Sequence, residues 1–225
     1  MSASRVRPTG LVAIPSWVGG GRAGTVALAL ACCLAGPASA GEPPADAPTA
    51  VQELRSWVLG AGDNHGQPFV IVDKIGAQAV AFDRTGALIG SAPVLLGVAF
   101  GDESPPGIGD KPLADIGPED RITPAGRFVA QLGENLSGKT VLWVDYDAAV
   151  SLHAVVTGKP SDHRQARLDS PTSSDNRISY GCINVPAPFY KEIVEPLFKD
   201  TPGLVYVLPE TRSLKDQFFP EPVQQ

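Results

Sequence analysis

A lone thiol is the most reactive group in this sequence. Of the three cysteines, Cys32 and Cys33 fall in an apolar stretch near the N-terminus, and only Cys182 lies in the body of the chain. Residues 1–40 read as a secretory signal peptide. Arg5, Arg7 and Arg22 precede the apolar run TVALALACCLA at 25–35, and Gly36-Pro37 and the small-x-small triplet Ala38-Ser39-Ala40 follow it. The run is too short for a membrane span of about 20 residues. Cleavage is expected after Ala40. A lipoprotein signal at Cys32 or Cys33 fits poorly, because Ala29 stands where a Leu is wanted before Cys32, and Cys32 crowds Cys33. Export then leaves Cys182 as a single thiol in an oxidising compartment, where cysteines are normally paired or absent. Such a thiol is a reactive group, an intermolecular bridge or a buried filler.

The neighbours of Cys182 favour reactivity. In Ile178-Ser179-Tyr180-Gly181-Cys182-Ile183-Asn184, Gly181 permits an unusual turn, and converging backbone N–H groups can hold a developing oxyanion. A helix expected soon after Cys182 would lower the thiol pKa. A thiol nucleophile also needs a base, and the histidines are His65, His153 and His163. His65 lies in a Gly/Asn/Gln loop. His163 lies in the charged stretch SDHRQ. His153 ends the apolar strand VSLH, whose rigidity favours it as the base.

Two landmarks resemble a known family. Ser179-Tyr180-Gly181-Cys182-Ile183-Asn184 is similar to the signature of the YkuD-type L,D-transpeptidases: Ser/Thr-His-Gly-Cys, an apolar residue, then Asn or Arg, with a strand-borne His upstream. Thr123-Pro124-Ala125-Gly126-Arg127-Phe128 resembles the family's Thr-Pro-x-Gly-x-Phe turn. The resemblance covers about residues 68–208. It implies a mainly β fold, an L,D-transpeptidase-type β-sandwich with one or two peripheral helices, and acyl transfer on peptidoglycan stem peptides. By that resemblance Cys182 attacks the carbonyl of the third stem residue, D-Ala leaves, and an amine from a neighbouring stem resolves the thioester into a 3→3 cross-link. His153 accepts and returns the proton. The N–H groups of Tyr180, Gly181 and Cys182 line the oxyanion hole, and Ser179 orients the imidazole. Tyr180, Asn184 and Arg177 are the substrate-binding candidates, with Asn184 also able to support the loop. A carbapenem adduct at Cys182 is a further expectation. No cofactor or metal is implied.

The sequence departs from the family pattern at three places. Tyr180 replaces the usual His. The interval from His153 to Cys182 is longer than usual, and its extra residues, KPSDHRQARLDSPTSSDN, can form a flap over the site. His163 fits the usual spacing better than His153, so strand context and residue counting point to different bases. Arg177 has two readings, a fork for a substrate carboxylate or a partner of Asp175 or another acid. Trp143 reads first as a core aromatic and second as the wall of a glycan groove.

The elements that must hold these residues are mostly strands. Residues 41–62 are a Pro-rich linker and a short helix, with Thr49 and Gln52 as a capping pair, Val51, Leu54 and Val58 on one face, and Gly60 and Gly62 at its end. Residues 63–210 form the catalytic domain. PFVIVDK and AQAVAFD, ALIGSAPVLLGVAF, ITPAGRFVAQL, TVLWVDY, AVSLHAV and LVYVLP read as strands. Residues 101–120 are an acidic, turn-rich loop, and 158–177 are polar and irregular. VPAPFYKEIVEPLF is a helix, with Pro186 or Pro188 in its first turn and Tyr190 packing inward. Residues 211–225 are a loose tail.

Composition narrows the function classes. The chain has 225 residues, 43% apolar and 19% charged, with 24 Gly and 22 Pro. That excludes wholesale disorder and a long helical bundle. The chain without residues 1–40 keeps 15 basic and 24 acidic residues, net −9, with no dense basic block. Nucleic acid is therefore not an expected partner. No run after residue 40 is long and apolar enough to cross a bilayer, and periplasm or cell envelope is the expected location. Two rival functions stay open: an L,D-carboxypeptidase or other hydrolase on the same scaffold, and a wall-binding module with no catalysis.

Overall fold

The computed structural model describes residues 49–156 and 158–219. The signal peptide expected at 1–40 and the linker expected ahead of residue 49 lie outside the described residues. Strands β1 (Phe69–Asp73), β2 (Gln78–Phe82), β3 (Leu88–Pro93), β5 (Gly126–Glu134), β6 (Thr140–Asp145), β7 (Val150–Ala154), β9 (Ile183–Val185) and β10 (Gly203–Val207) form one sheet in the order β3-β2-β1-β10-β5-β6-β7-β9. The pairs β1–β10 and β7–β9 are parallel and the others antiparallel. β4 (Leu96–Gly97) pairs with β8 (Arg177–Ser179). The sheet nearly closes on itself. Leu95, just past edge strand β3, exchanges both backbone hydrogen bonds with Asn184 on the opposite edge strand β9, at 2.8 and 2.9 Å.

Period-2 alternation sorts the side chains into two cores. Val70, Val72, Ala79, Ala81, Val205 and Val207 point inward with Leu142, Leu152, Ile183 and Val185. Their neighbours Phe69, Ile71, Val80, Phe82, Leu204 and Tyr206 form a second core on the other face. The central strands read as unbroken apolar runs because both of their faces are covered. Helix α1 (Thr49–Ala61) covers the second core with Val51, Leu54 and Val58. It ends at Gly62, whose φ of 67° and the Asp63 N–H bond to the Val58 carbonyl make a left-handed C-terminal cap.

Three expectations change. α1 packs on the sheet, and Arg55 donates to the Gly86 carbonyl at 2.8 Å, so the helix is part of the domain core rather than a preface to it. Residues 211–219 are not loose, and the rest of the expected tail lies outside the described residues. Thr211 donates to Asp102, and α5 (Leu214–Phe218) buries Phe218 in the second core. The segment 158–177 is partly helical, with α2 (Arg164–Leu168) between short 3-10 turns. The helix after β9 runs through residues 187–198, with a π turn at Tyr190–Val194 between α3 (Ala187–Phe189) and α4 (Glu195–Phe198). Tyr190 packs inward there and donates to the Thr140 carbonyl.

A buried ionic cluster ties loop 101–120 to this frame. The Lys74 ammonium, with a fully buried side chain, contacts Asp102 at 2.7 Å and Glu210 at 3.4 Å. It also donates to the carbonyls of Gly101 and Thr123, which flank the loop. Burial pushes the Asp102 carboxyl up. Lys74, Thr211 and the amides of residues 210 and 211 outweigh it, and hold that carboxyl well below its ordinary 3.8. A depressed carboxylate stabilises the fold above its unfolded pKa and loses that contribution as pH falls. Urea stability is therefore expected to drop below about pH 3.8. Lys74→Met should cost about 3–5 kcal/mol at neutral pH, because it strands buried carboxylates. Equal midpoints for wild type and variant would contradict this account.

Candidate active site

The parallel pairing of β7 with β9 matches Leu152 to Ile183 and His153 to Asn184. Cys182 is thereby set beside Ser151. The half-buried sulfur lies 3.7 Å from the Ser151 hydroxyl and 3.7 Å from the Ala149 carbonyl. The His153 ring lies near enough to Cys182 to act on the charge of its thiol. Nδ1 of that ring is 2.8 Å from the Ala154 carbonyl. A carbonyl only accepts, so Nδ1 carries the proton and Nε2 is left to face the sulfur.

Burial is the largest single influence on each partner, and it opposes charge. For Cys182 it is outweighed by the hydrogen bond and charge of His153, together with the N–H and hydroxyl of Ser151, and the thiol pKa falls below its ordinary 9.0. For His153, burial lowers the pKa. The thiolate and the Ala154 carbonyl outweigh it against the opposing charge of Arg164, and the net shift is upward from 6.5. Both shifts favour a thiolate–imidazolium pair, and the two groups titrate together.

The turn before the sulfur is heavily braced. Gly181 has φ 123°, and a Cβ there would lie 2.7 Å from the Ile122 carbonyl, so only glycine fits. The buried Thr123 hydroxyl donates to the Gly181 carbonyl at 2.8 Å and accepts from the Gly97 N–H at 2.9 Å. Ser179 donates to the Cys182 carbonyl at 2.6 Å and accepts from the Gly181 N–H at 3.1 Å. Asn184 donates to the same Cys182 carbonyl at 3.1 Å. No hydrogen bond runs from the N–H of Tyr180 or of Cys182 to another described residue.

Several site expectations need correction. Ser179 closes the turn, and the Ala154 carbonyl, not Ser179, orients His153. The Gly181 N–H is taken by Ser179, which removes it from the oxyanion donors. Asn184 is 1% exposed and bonds Cys182 and Arg164, so it braces the loop instead of meeting a substrate. Arg177 pairs with Glu210, donates to the Lys74 carbonyl at 3.0 Å and lies over Phe100, so its fork is occupied. Cys182 does not precede a helix directly, because Ile183–Val185 form β9, and its ionisation rests on His153 and Ser151. Trp143 is half-buried, 5.0 Å from the exposed Tyr146 ring, in a groove of about 600 Å³ rather than in a core. His163 and His65 are exposed on turns, both with left-handed φ. Tyr180 is 39% exposed, under the Arg121 guanidinium at 3.9 Å.

Loop 101–120 closes over the sulfur. Ile108, Lys111, Leu113 and Ile116 join Tyr180 and Cys182 around a cleft of about 90 Å³. Gly109 lies against the β6–β7 turn, where a Cβ would be 2.3 Å from the Asp147 carbonyl. Among the described residues, no three His, Cys, Asp or Glu side chains are grouped to hold a metal ion. No described helix is long and apolar enough to cross a membrane.

No family model and no curated protein sequence matches this chain. Solved structures similar to it are mostly L,D-transpeptidase domains. One is the catalytic domain of the Enterococcus faecium (E. faecium) L,D-transpeptidase, at 18% identity and TM-score 0.36, covering 64% of this chain and 98% of that one. Another is the L,D-transpeptidase LdtMt1 in complex with imipenem, at 14% identity and TM-score 0.35, covering 63% and 58%. A third is the helical cell shape determining protein Pgp2 (K307A) from Campylobacter jejuni, at 13% identity and TM-score 0.41, covering 73% and 58%. The chain thus spans nearly all of the first and about three fifths of the other two.

Alkylation of Cys182 by iodoacetamide checks the ion pair. The rate should reach its plateau well below pH 9.0. His153→Ala should slow it about tenfold or more at pH 7, since the thiolate fraction falls as the pKa returns toward its ordinary value. Ser151→Ala should slow it less, and His163→Ala not at all. If His163→Ala alone slows the reaction, His153 is not the base.

Proposed function

We propose that the protein is a cysteine acyl-transfer enzyme of the bacterial envelope acting on peptidoglycan stem peptides, an L,D-transpeptidase with Cys182 as nucleophile and His153 as general acid and base. The observation that carries the chemistry is the placement of the pair: the β7–β9 register sets Cys182 beside Ser151 and one residue from His153, whose ring is held by the Ala154 carbonyl. A thiol pKa pulled down and an imidazole pKa pushed up agree with that placement. The substrate class rests on the resemblance of the Cys182 and Thr123 segments to the family signature, now joined by the Thr123 hydrogen bond to Gly181.

In the acylation step the thiolate adds to the scissile carbonyl carbon. The developing oxyanion accepts from the N–H groups of Tyr180 and Cys182. His153 gives its Nε2 proton to the departing amine of D-Ala, the C–N bond breaks, and a thioester remains. In the second step neutral His153 takes a proton from the incoming amine, which displaces the sulfur and leaves an amide cross-link. A carbapenem would acylate the same sulfur: the thiolate adds to the lactam carbonyl carbon, the ring C–N bond breaks, and the freed nitrogen takes the His153 proton.

A second reading has its own support. The cleft of about 90 Å³ admits water, and loop 101–120 narrows the approach of a second stem to the sulfur. Water resolving the thioester would make the protein an L,D-carboxypeptidase.

Incubation of the protein lacking residues 1–40 with muropeptide tetrapeptides, read by mass spectrometry, tests both. Dimers that have lost D-Ala are the expected product. Tripeptides alone would assign the hydrolytic outcome. Unchanged tetrapeptides, with Cys182 inert to imipenem, would overturn the reading. Cys182→Ala should fold and form no adduct. Gly181→Ala should lose activity about a hundredfold or more through misplacement of the nucleophile.

A further inference from the structure

Strand β7 carries the site beyond the imidazole. Leu152 and Ala154 face the inner core, so Ser151, His153 and Val155 share the opposite face. Ser151 contacts the sulfur and His153 acts on its charge. Val155, still paired through its N–H to the Val185 carbonyl, lines a separate pocket of about 320 Å³ with Pro160, His163 and Arg164. This pocket therefore lies one alternate-residue step past His153, about 6.6 Å along the strand. It is built by the segment that lengthens the interval between His153 and Cys182.

Arg164 is held in that pocket and partly uncommitted. Its side chain is 14% exposed, with Nε on Asp162 Oδ2 at 3.2 Å and Nη1 on the buried Asn184 Oδ1 at 3.2 Å. Gly158, at φ 60°, lies so close over this pair that a Cβ would be 2.7 Å from Arg164 Nε. Nη2 has no partner among the described residues and the pocket at its side. Arg164 is also near enough to oppose the charging of His153.

We propose that Arg164 binds the free α-carboxylate of the residue that leaves, so that the enzyme cleaves only the last peptide bond of its substrate. This rests on the acyl-transfer reading above. The placement agrees. His153 must reach the leaving nitrogen, and Arg164 bonds Asn184, the residue level with His153 across the β7–β9 pair, close enough to oppose the charging of that ring. One Arg164 edge thus braces Asn184 under the nucleophile while the other reads the substrate terminus.

The test compares a tetrapeptide stem with its C-terminal carboxamide. Wild type should process the acid about ten- to a hundredfold faster in kcat/KM, the value of one charge-assisted hydrogen bond. Arg164→Met should bring the ratio near one by slowing the acid far more than the carboxamide, and Arg164→Lys should restore part of the preference. A wild-type ratio near one, a ratio kept by Arg164→Met, or equal slowing of both peptides would overturn the proposal. A peptide-free pair, 4-bromobutyrate and 4-bromobutyramide, separates the two readings. If neither peptide is turned over, the acyl-transfer reading fails. A carboxylate preference in Cys182 alkylation over free cysteine, lost in Arg164→Met, would still support the anion site. No such preference would overturn it.

Discussion

A sulfur that must ionise inside a protein meets an unfavourable medium, and only a fixed positive partner and fixed donors can reverse that preference. Here the partner is the His153 ring, and what fixes it is the parallel pairing of β7 and β9. Parallel register sets Cys182 level with Ser151 and His153 level with Asn184. The imidazole cannot rotate away, since the Ala154 carbonyl anchors its far nitrogen. The near-closure of the sheet through Leu95 and Asn184 protects this pairing, because β9 would otherwise be a three-residue edge strand. The architecture matters to the chemistry mainly through that one register.

Support then passes outward by hydrogen bonds rather than by apolar packing. Ser179 and Asn184 share the Cys182 carbonyl, and Thr123 holds the Gly181 carbonyl. Thr123 in turn offers its own carbonyl to Lys74, which is neutralised by Asp102 and Glu210. Buried ion pairs are weak contributors to net stability and costly to break. Their service here is geometric. They fix the ends of a long polar loop against an apolar sheet, where hydrophobic contact alone would leave it free to slide.

The sequence singled out Cys182 and His153 because they are rare types in telling places, a single cysteine beside a glycine and a histidine closing an apolar strand, and β7 and β9 set them near each other. The strand pattern was readable too, since two-sided burial gives β1 and β10 continuous apolar runs. What stayed hidden depends on partners far apart in the chain. Glu210 takes Arg177 from 33 positions away, and Lys74 reaches Thr123 across 49. Ser151 lacks any distinguishing neighbour, yet register alone brings it to the sulfur. Residues 183–185 were not read as a strand, because three residues carry no period. The five-residue α2 is likewise too short to announce itself, and Arg164 with it.

Lys74 donates to the carbonyls of Gly101 and Thr123 at once. The stretch between them is consequently a hoop whose two feet stand on one ammonium. It cannot peel back from either end to admit a large molecule. The span between those feet is what borders the sulfur's cleft, turning at Gly107 and resting through Gly109 on the β6–β7 turn, so the loop is seated at its middle as well as at its ends.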